Sequence, residues 1–193
     1  MFSRLLISGL LLLTLGACQT TATGKKTVSL DSRDGQALAI NARRLEVVDN
    51  WLMPLEPPYV EHELAITPAE MVIEWAKQTL VPKGGSGELI LNISEASIKQ
   101  EDLPPEEGFL NALKDNQDTR LRVTIEAQLL WIQPVGNFQG TAKLASKVTQ
   151  TLPESATPAD YLMAKEALVQ HAITLIDEQA RTEIGKIDGM ILP

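Results

Sequence analysis

The alternation of apolar and polar residues along the chain predicts four β-strands. The clearest covers residues 121–129, where every second residue is apolar and the residues between are polar, as in a strand with one buried face. A turn around Pro134 and Gly136 precedes its expected antiparallel partner, residues 138–151. In two earlier segments, residues 37–51 and 88–98, the apolar positions change parity part-way along. In the first segment a β-bulge near Arg43 and Arg44 is the simplest explanation of the change.

Two helices are predicted from a start signal that occurs twice. Thr67-Pro68-Ala69-Glu70 and Thr157-Pro158-Ala159-Asp160 each supply an N-cap threonine, a proline in the first turn and an acid that can complete a capping box. Apolar residues then recur at helical spacing. The first helix should end before Pro82, Gly84 and Gly85, and the second should run to about Gly185.

These elements predict the α+β class, with an approximately four-stranded, mainly antiparallel sheet and both helices packed on one face. We expect them to form a single domain over residues 37–193. Two long connections interrupt the pattern. A proline-rich segment at residues 54–66 should be extended, and an acidic segment at residues 99–118 should be a loop.

The N-terminus has the organisation of a secretory signal. Arg4 precedes an apolar run over residues 5–15, which is too short to span a bilayer because a spanning helix needs about 20 apolar residues. Leu15, Gly16, Ala17 and Cys18 follow, and this tetrapeptide resembles the lipobox of bacterial lipoproteins. The resemblance implies removal of residues 1–17 and attachment of a diacylglycerol to the Cys18 thiol. The alternatives are an ordinary signal peptide or a buried apolar helix.

The residues after the lipobox suggest how the domain would be held. Residues 18–36 are the lipidated cysteine and a polar stretch without aromatic residues, and we interpret this stretch as a flexible tether. Gln19 stands where the enterobacterial sorting signal for the inner membrane has aspartate. By that resemblance the protein is expected on the periplasmic face of the outer membrane, anchored by its acyl chains.

Charge and cysteine content exclude several classes of site. The chain carries 25 acidic against 17 basic side chains, a net charge of -8, so its surface should repel phosphate backbones and we expect no nucleic-acid partner. Cys18 is the only cysteine, and lipidation leaves no thiol for a disulfide, a metal or a nucleophile.

No catalytic or metal-binding set, and no cofactor site, emerges from the motifs. His62 lies between Glu61 and Glu63, but in an extended segment its side chain would point away from both, and His171 is expected at the surface of the second helix. Residues 84–87 are glycine-rich but lack the Lys-Ser/Thr of a phosphate-binding loop. We therefore predict a non-enzyme with no catalytic or metal-ligating residues.

Four aromatic residues are candidates for a partner-binding surface. Trp51 and Tyr59 flank the proline-rich segment, Trp75 lies beside the apolar stripe of the first helix, and Phe109 lies in the acidic connection. The alternative interpretation is that they close the ends of the hydrophobic core.

Two resemblances bear on function. The stretches RLEVVDNW and PLEPPYVEHELAITPAEMVIEWAKQTL, within residues 44–80, resemble an uncharacterised family of alphaproteobacterial lipoproteins, which implies no specific function. In architecture alone, the chain is similar to the lipopolysaccharide-assembly lipoprotein and to the auxiliary lipoproteins of lipid-transport ABC systems. That similarity implies a non-catalytic accessory or binding module of an envelope or lipid-transport complex, with an envelope protein as partner. A lipoprotein that binds a lipid or small ligand and an envelope enzyme are the alternatives.

Overall fold

The computed structural model describes residues 37–104 and 116–193. In chain order its elements are β1 (Leu38–Ile40), β2 (Arg44–Asp49), a 3-10 turn (Glu61–Glu63), α1 (Pro68–Thr79), β3 (Leu80–Pro82), β4 (Glu88–Asp102), β5 (Gln117–Gln133), β6 (Phe138–Pro153) and α2 (Pro158–Ile184). None of the described helices has the length and apolar composition needed to cross a membrane.

The main sheet has four strands in the order β2-β4-β5-β6. The pairs β4–β5 and β5–β6 are antiparallel, whereas β2 runs parallel to β4. A second, two-stranded sheet joins β1 to β3 in parallel. The predicted α+β class is confirmed, with one parallel pair in an otherwise antiparallel sheet.

The core lies between one face of the sheet and the two helices. Along β5 every second side chain from Thr119 to Gln133 is buried, which is the alternation that the sequence predicted. Helix α2 packs on β5 and β6, and α1 packs on β4 and contacts α2. The largest fully buried side chains include Trp75, Trp131 and Ile125. The hydrophobic effect therefore holds both helices on this face.

The prediction of one bulged strand over residues 37–51 was wrong. The chain leaves the β1–β3 sheet after Ile40 and joins the main sheet at Arg44. Ala42, between them, is fully buried, and its carbonyl accepts a hydrogen bond from the Gly84 amide at 2.9 Å. The parity change thus marks a crossing between two sheets and not an extra residue in one strand.

The second parity change, in residues 88–98, is a β-bulge. The pairing of β4 with β5 shifts between Ile93 and Glu95, so that Ser94 is the extra residue. Its hydroxyl donates to the Glu126 carbonyl at 3.1 Å. Because of this bulge, Ala96 and Ile98 face the same core as Ile93.

The acidic connection is shorter than the predicted loop over residues 99–118. Strand β4 continues to Asp102 and β5 begins at Gln117. The Glu101 carboxylate accepts a hydrogen bond from Arg122 of β5 at 3.0 Å, and this cross-strand ion pair helps to continue the ladder through polar residues.

Both helices begin at the predicted residues. Thr67 with Glu70, and Thr157 with Asp160, form complete capping boxes, and a proline follows each cap. Helix α1 ends at Thr79, three residues before Pro82, because the chain continues directly into β3. Helix α2 ends at Ile184 and is capped by Gly185, close to the predicted end.

Candidate functional site

The proline-rich segment begins just after β2 ends and its pairing with β4 stops. We call residues 51–59 the proline loop. Backbone bonds tie both of its ends to β4: the Asn50 amide donates to the Ile93 carbonyl, and the Val60 amide donates to the Ile98 carbonyl, each at 3.0 Å. The Gln100 amide donates to the Pro58 carbonyl at 2.8 Å. The ends of the loop are thus fixed to a long strand of the sheet.

The middle of the proline loop exposes large apolar side chains. Leu52 is 88% exposed and Leu55 is 72% exposed, and Met53 between them is also exposed. Single exposed leucines are common, but apolar residues grouped on one short loop with fixed ends are typical of contact surfaces.

Trp51 and Tyr59, predicted as candidates for partner binding, are the first and last residues of this loop and lie close together. Their ring centroids are 6.0 Å apart, and the Lys99 ammonium lies 4.8 Å from the centre of the Tyr59 ring. Both residues are half-buried. The buried indole Nε1 of Trp51 has no hydrogen-bond partner among the described residues. The structure therefore brings these two predicted residues together at one site.

A one-turn 3-10 helix anchors the far end of the loop. The buried Glu61 carboxylate accepts a hydrogen bond from the Ile98 amide at 3.3 Å, while Glu63 forms an ion pair with Lys165 of α2. The expectation that residues 61–63 are extended was wrong, because Glu61 turns inward to the edge of β4. His62 is exposed, and the described residues contain no group of three or more His, Cys, Asp or Glu side chains placed to share a metal ion.

Trp75 lies in the core and not at the surface. Its side chain is 1% exposed, and its indole Nε1 donates to the Asp177 carboxylate of α2 at 2.9 Å. It therefore joins the two helices and does not contribute to the proline-loop surface. Phe109 and the lipobox residues Leu15, Gly16, Ala17 and Cys18 lie outside the described residues.

Sequence reasoning missed a groove beside β2. It has a volume of about 520 Å³ and lies between β2, α1 and β3, lined by Leu45, Val47, Ile73, Lys77, Leu80, Val81 and Pro82. Leu45 and Val47 lie within residues 37–51, whose apolar pattern predicted a strand. The groove was not predictable from them, because it depends on β2 being the last strand of the sheet.

The comparisons with known proteins place the chain in no family. A scan against protein-family models gave no match, and a search of curated proteins gave none either. A minor lipoprotein from Acinetobacter baumannii is similar in structure, with 11% identity, a TM-score of 0.38, and coverage of 81% of this chain and 98% of that chain. Rare lipoprotein B from Shewanella oneidensis has 13% identity, a TM-score of 0.35, and coverage of 73% of this chain and 96% of that chain. At such low TM-scores and identities, these similarities carry no argument about function.

Proposed function

We propose that this protein is a non-catalytic binding module of an envelope or lipid-transport complex, and that it contacts an envelope protein through the proline loop. The observation that carries the proposal is the pair of exposed side chains Leu52 and Leu55 on a loop whose ends are fixed to β4. A partner that covers them gains hydrophobic stabilisation of about 25 cal/mol for each Å² of apolar surface removed from water.

The attachment of the loop favours binding with little loss of conformational freedom. Backbone bonds to β4 hold its ends, and the rings of its first and last residues, Trp51 and Tyr59, lie 6.0 Å apart. A loop with fixed ends has less conformational freedom to lose on binding than a loop with free ends. The proline loop is thus suited to present its leucines in one arrangement.

We further propose that the protein is a lipoprotein of the outer membrane, acylated at Cys18 and facing the periplasm. The support is the sequence Leu15-Gly16-Ala17-Cys18 after an apolar run, with Gln19 following. Acyl chains stabilise membrane binding by about 0.8 kcal/mol for each buried methylene, and two or more chains give a stable anchor. Residues 19–36 then separate the acidic domain from the lipid surface.

The anchor is tested by Cys18→Ser. We expect this variant to lose labelling by radioactive palmitate and to leave the outer-membrane fraction. An Asp31→Ser change in the polar segment serves as the control and should keep both properties. Unchanged labelling of the Cys18→Ser protein would overturn the lipobox interpretation.

A double variant, Leu52→Ser with Leu55→Ser, tests the contact surface. The control is a second double variant, Leu130→Ser with Ile132→Ser, which changes two exposed apolar residues on the sheet face that carries no helix. After chemical crosslinking in intact cells, we expect the parent and the control to recover the same envelope protein. The loop variant should recover about tenfold less, and a tagged form of that envelope protein should in turn recover the parent. Equal recovery by the loop variant, or recovery of lipid alone, would contradict the proposal.

A further inference from the structure

Strand β2 is an open edge of the main sheet. Among the described residues it pairs with β4 alone, over Arg44–Asp49. In a strand with one neighbour, every second residue directs its N–H and C=O groups away from that neighbour. These groups form a ready template for another strand. With six residues, β2 offers a length of about 20 Å.

The apolar groove lies directly against this edge. Leu45 and Val47 of β2 form one wall, and Ile73 of α1 with Val81 of β3 lies across from them. Leu45 and Val47 are two residues apart, so both side chains lie on the core face of β2. In a strand added beside β2, every second side chain would lie on this same face. The groove therefore has room for the apolar side chains of such a strand.

One basic residue lines the groove, and two more are adjacent in sequence to the elements that line it. Lys77 lines it, Lys83 directly follows the lining residue Pro82, and Arg43 directly precedes β2. All three are exposed, and within the described residues none of them forms an ion pair. Arg44, by contrast, is bound to Glu88 at 2.8 Å. A lysine in an apolar groove, with Arg43 and Lys83 beside its lining elements, complements an occupant that carries both apolar and acidic groups.

We infer that the edge of β2 binds an extended segment of a partner protein, which adds as a fifth strand to the main sheet. Its alternate apolar side chains occupy the groove, and its carboxylates lie against Arg43, Lys77 and Lys83. This is a second contact surface, distinct from the proline loop, and it does not depend on that loop being a binding site. Main-chain pairing supplies affinity, while the groove and the cations select the sequence.

A lipid with an anionic headgroup is the competing occupant. It matches the apolar groove and the cations, but it cannot satisfy a row of backbone N–H and C=O groups. A polypeptide strand satisfies all three features of the site. The unpaired edge of β2 therefore favours a protein segment.

The test uses the acylated full chain in phosphatidylcholine nanodiscs and measures hydrogen exchange of residues 44–49 by mass spectrometry. The probe is a capped hexapeptide of alternating valine and glutamate. Two control peptides differ from it in one respect each. One has proline at a central position, which removes a backbone N–H, and the other has lysine in place of each glutamate. We expect the first peptide to slow exchange of β2 about tenfold and the other two to have little effect.

A charge-reversal pair tests the cations. Lys77→Glu should weaken binding of the valine-glutamate peptide about tenfold, whereas Lys143→Glu on the uncovered face of β6 should leave it unchanged. Slowed exchange of β2 in phosphatidylglycerol nanodiscs without peptide would show that the site takes lipid and would overturn the inference. Equal protection by the proline peptide, or no protection by any peptide, would also overturn it.

Discussion

Trp75 and Leu52 are both large apolar residues, but they have opposite environments. Trp75 is 1% exposed and hydrogen-bonded to Asp177, whereas Leu52 is 88% exposed. Trp75→Ala should lower the free energy of unfolding by about 3–5 kcal/mol because it leaves a cavity between α1 and α2. Leu52→Ala should change it by less than about 0.5 kcal/mol.

Urea denaturation monitored by circular dichroism gives the free energy of unfolding of both variants. Equal destabilisation would contradict the assignment of Trp75 to the core and of Leu52 to the surface. Leu52→Ala should in addition lower recovery of the proposed partner, because it shortens one of the two leucines proposed to contact it.

Single residues show what a sequence can and cannot predict. The two capping boxes were predictable because Thr67 and Glu70, like Thr157 and Asp160, are three residues apart. The burial of Trp75 was not, because its partner Asp177 lies 102 positions further along the chain. Local chemistry decides the first case and tertiary packing decides the second.

At the scale of elements, the cap of α2 should make stability depend on pH. The Thr157 hydroxyl and backbone amide donate to the Asp160 carboxylate at 2.7 and 2.8 Å and hold the pKa of Asp160 below its ordinary value of 3.8. Because the pKa is lower in the folded state, the cap stabilises the fold above the ordinary value, and this contribution is lost as the pH falls through the folded pKa.

Asp160→Asn tests this dependence. We expect it to lower the melting temperature at neutral pH, and the difference from the parent should shrink below about pH 4 as the parent carboxylate becomes protonated. A difference that stays constant down to the acid transition would contradict the role assigned to Asp160. Thermal melts recorded by circular dichroism across this range provide the measurement.

The bulge at Ser94 predicts an unusual tolerance to deletion. Ile93 pairs with Ala127 and Glu95 pairs with Glu126, so removal of Ser94 leaves both pairs adjacent and keeps Ala96 and Ile98 facing the core. We expect the deletion to cost about 1 kcal/mol, mainly for the lost bond to the Glu126 carbonyl.

Deletion of Thr124 is the matched control. Strand β5 has no bulge at this position, so the loss of one residue reverses the faces of the residues beyond it. That variant should not fold, and urea titration compares the two. If the Ser94 deletion unfolds as fully as the Thr124 deletion, the fold requires the bulge, which would contradict this prediction.

At the scale of the whole molecule, the sequence predicts the layers better than the connections between strands. The α+β class, both helices and the three long strands follow from periodicity along the chain. The division of residues 37–51 between two sheets does not, because β1 and β2 pair with β3 and β4, more than 40 positions away. The open edge and the groove beside it follow from the strand order, so they too were beyond prediction.

The proposed binding surface is tested most directly by a photoreactive amino acid placed at Leu55 in living cells, with the same group at Lys147 on the uncovered face of β6 as the control. We expect illumination to join the Leu55 site to one identified envelope protein, whereas the Lys147 site should give no such product. The same product from both sites, or a product with lipid alone from Leu55, would contradict this expectation.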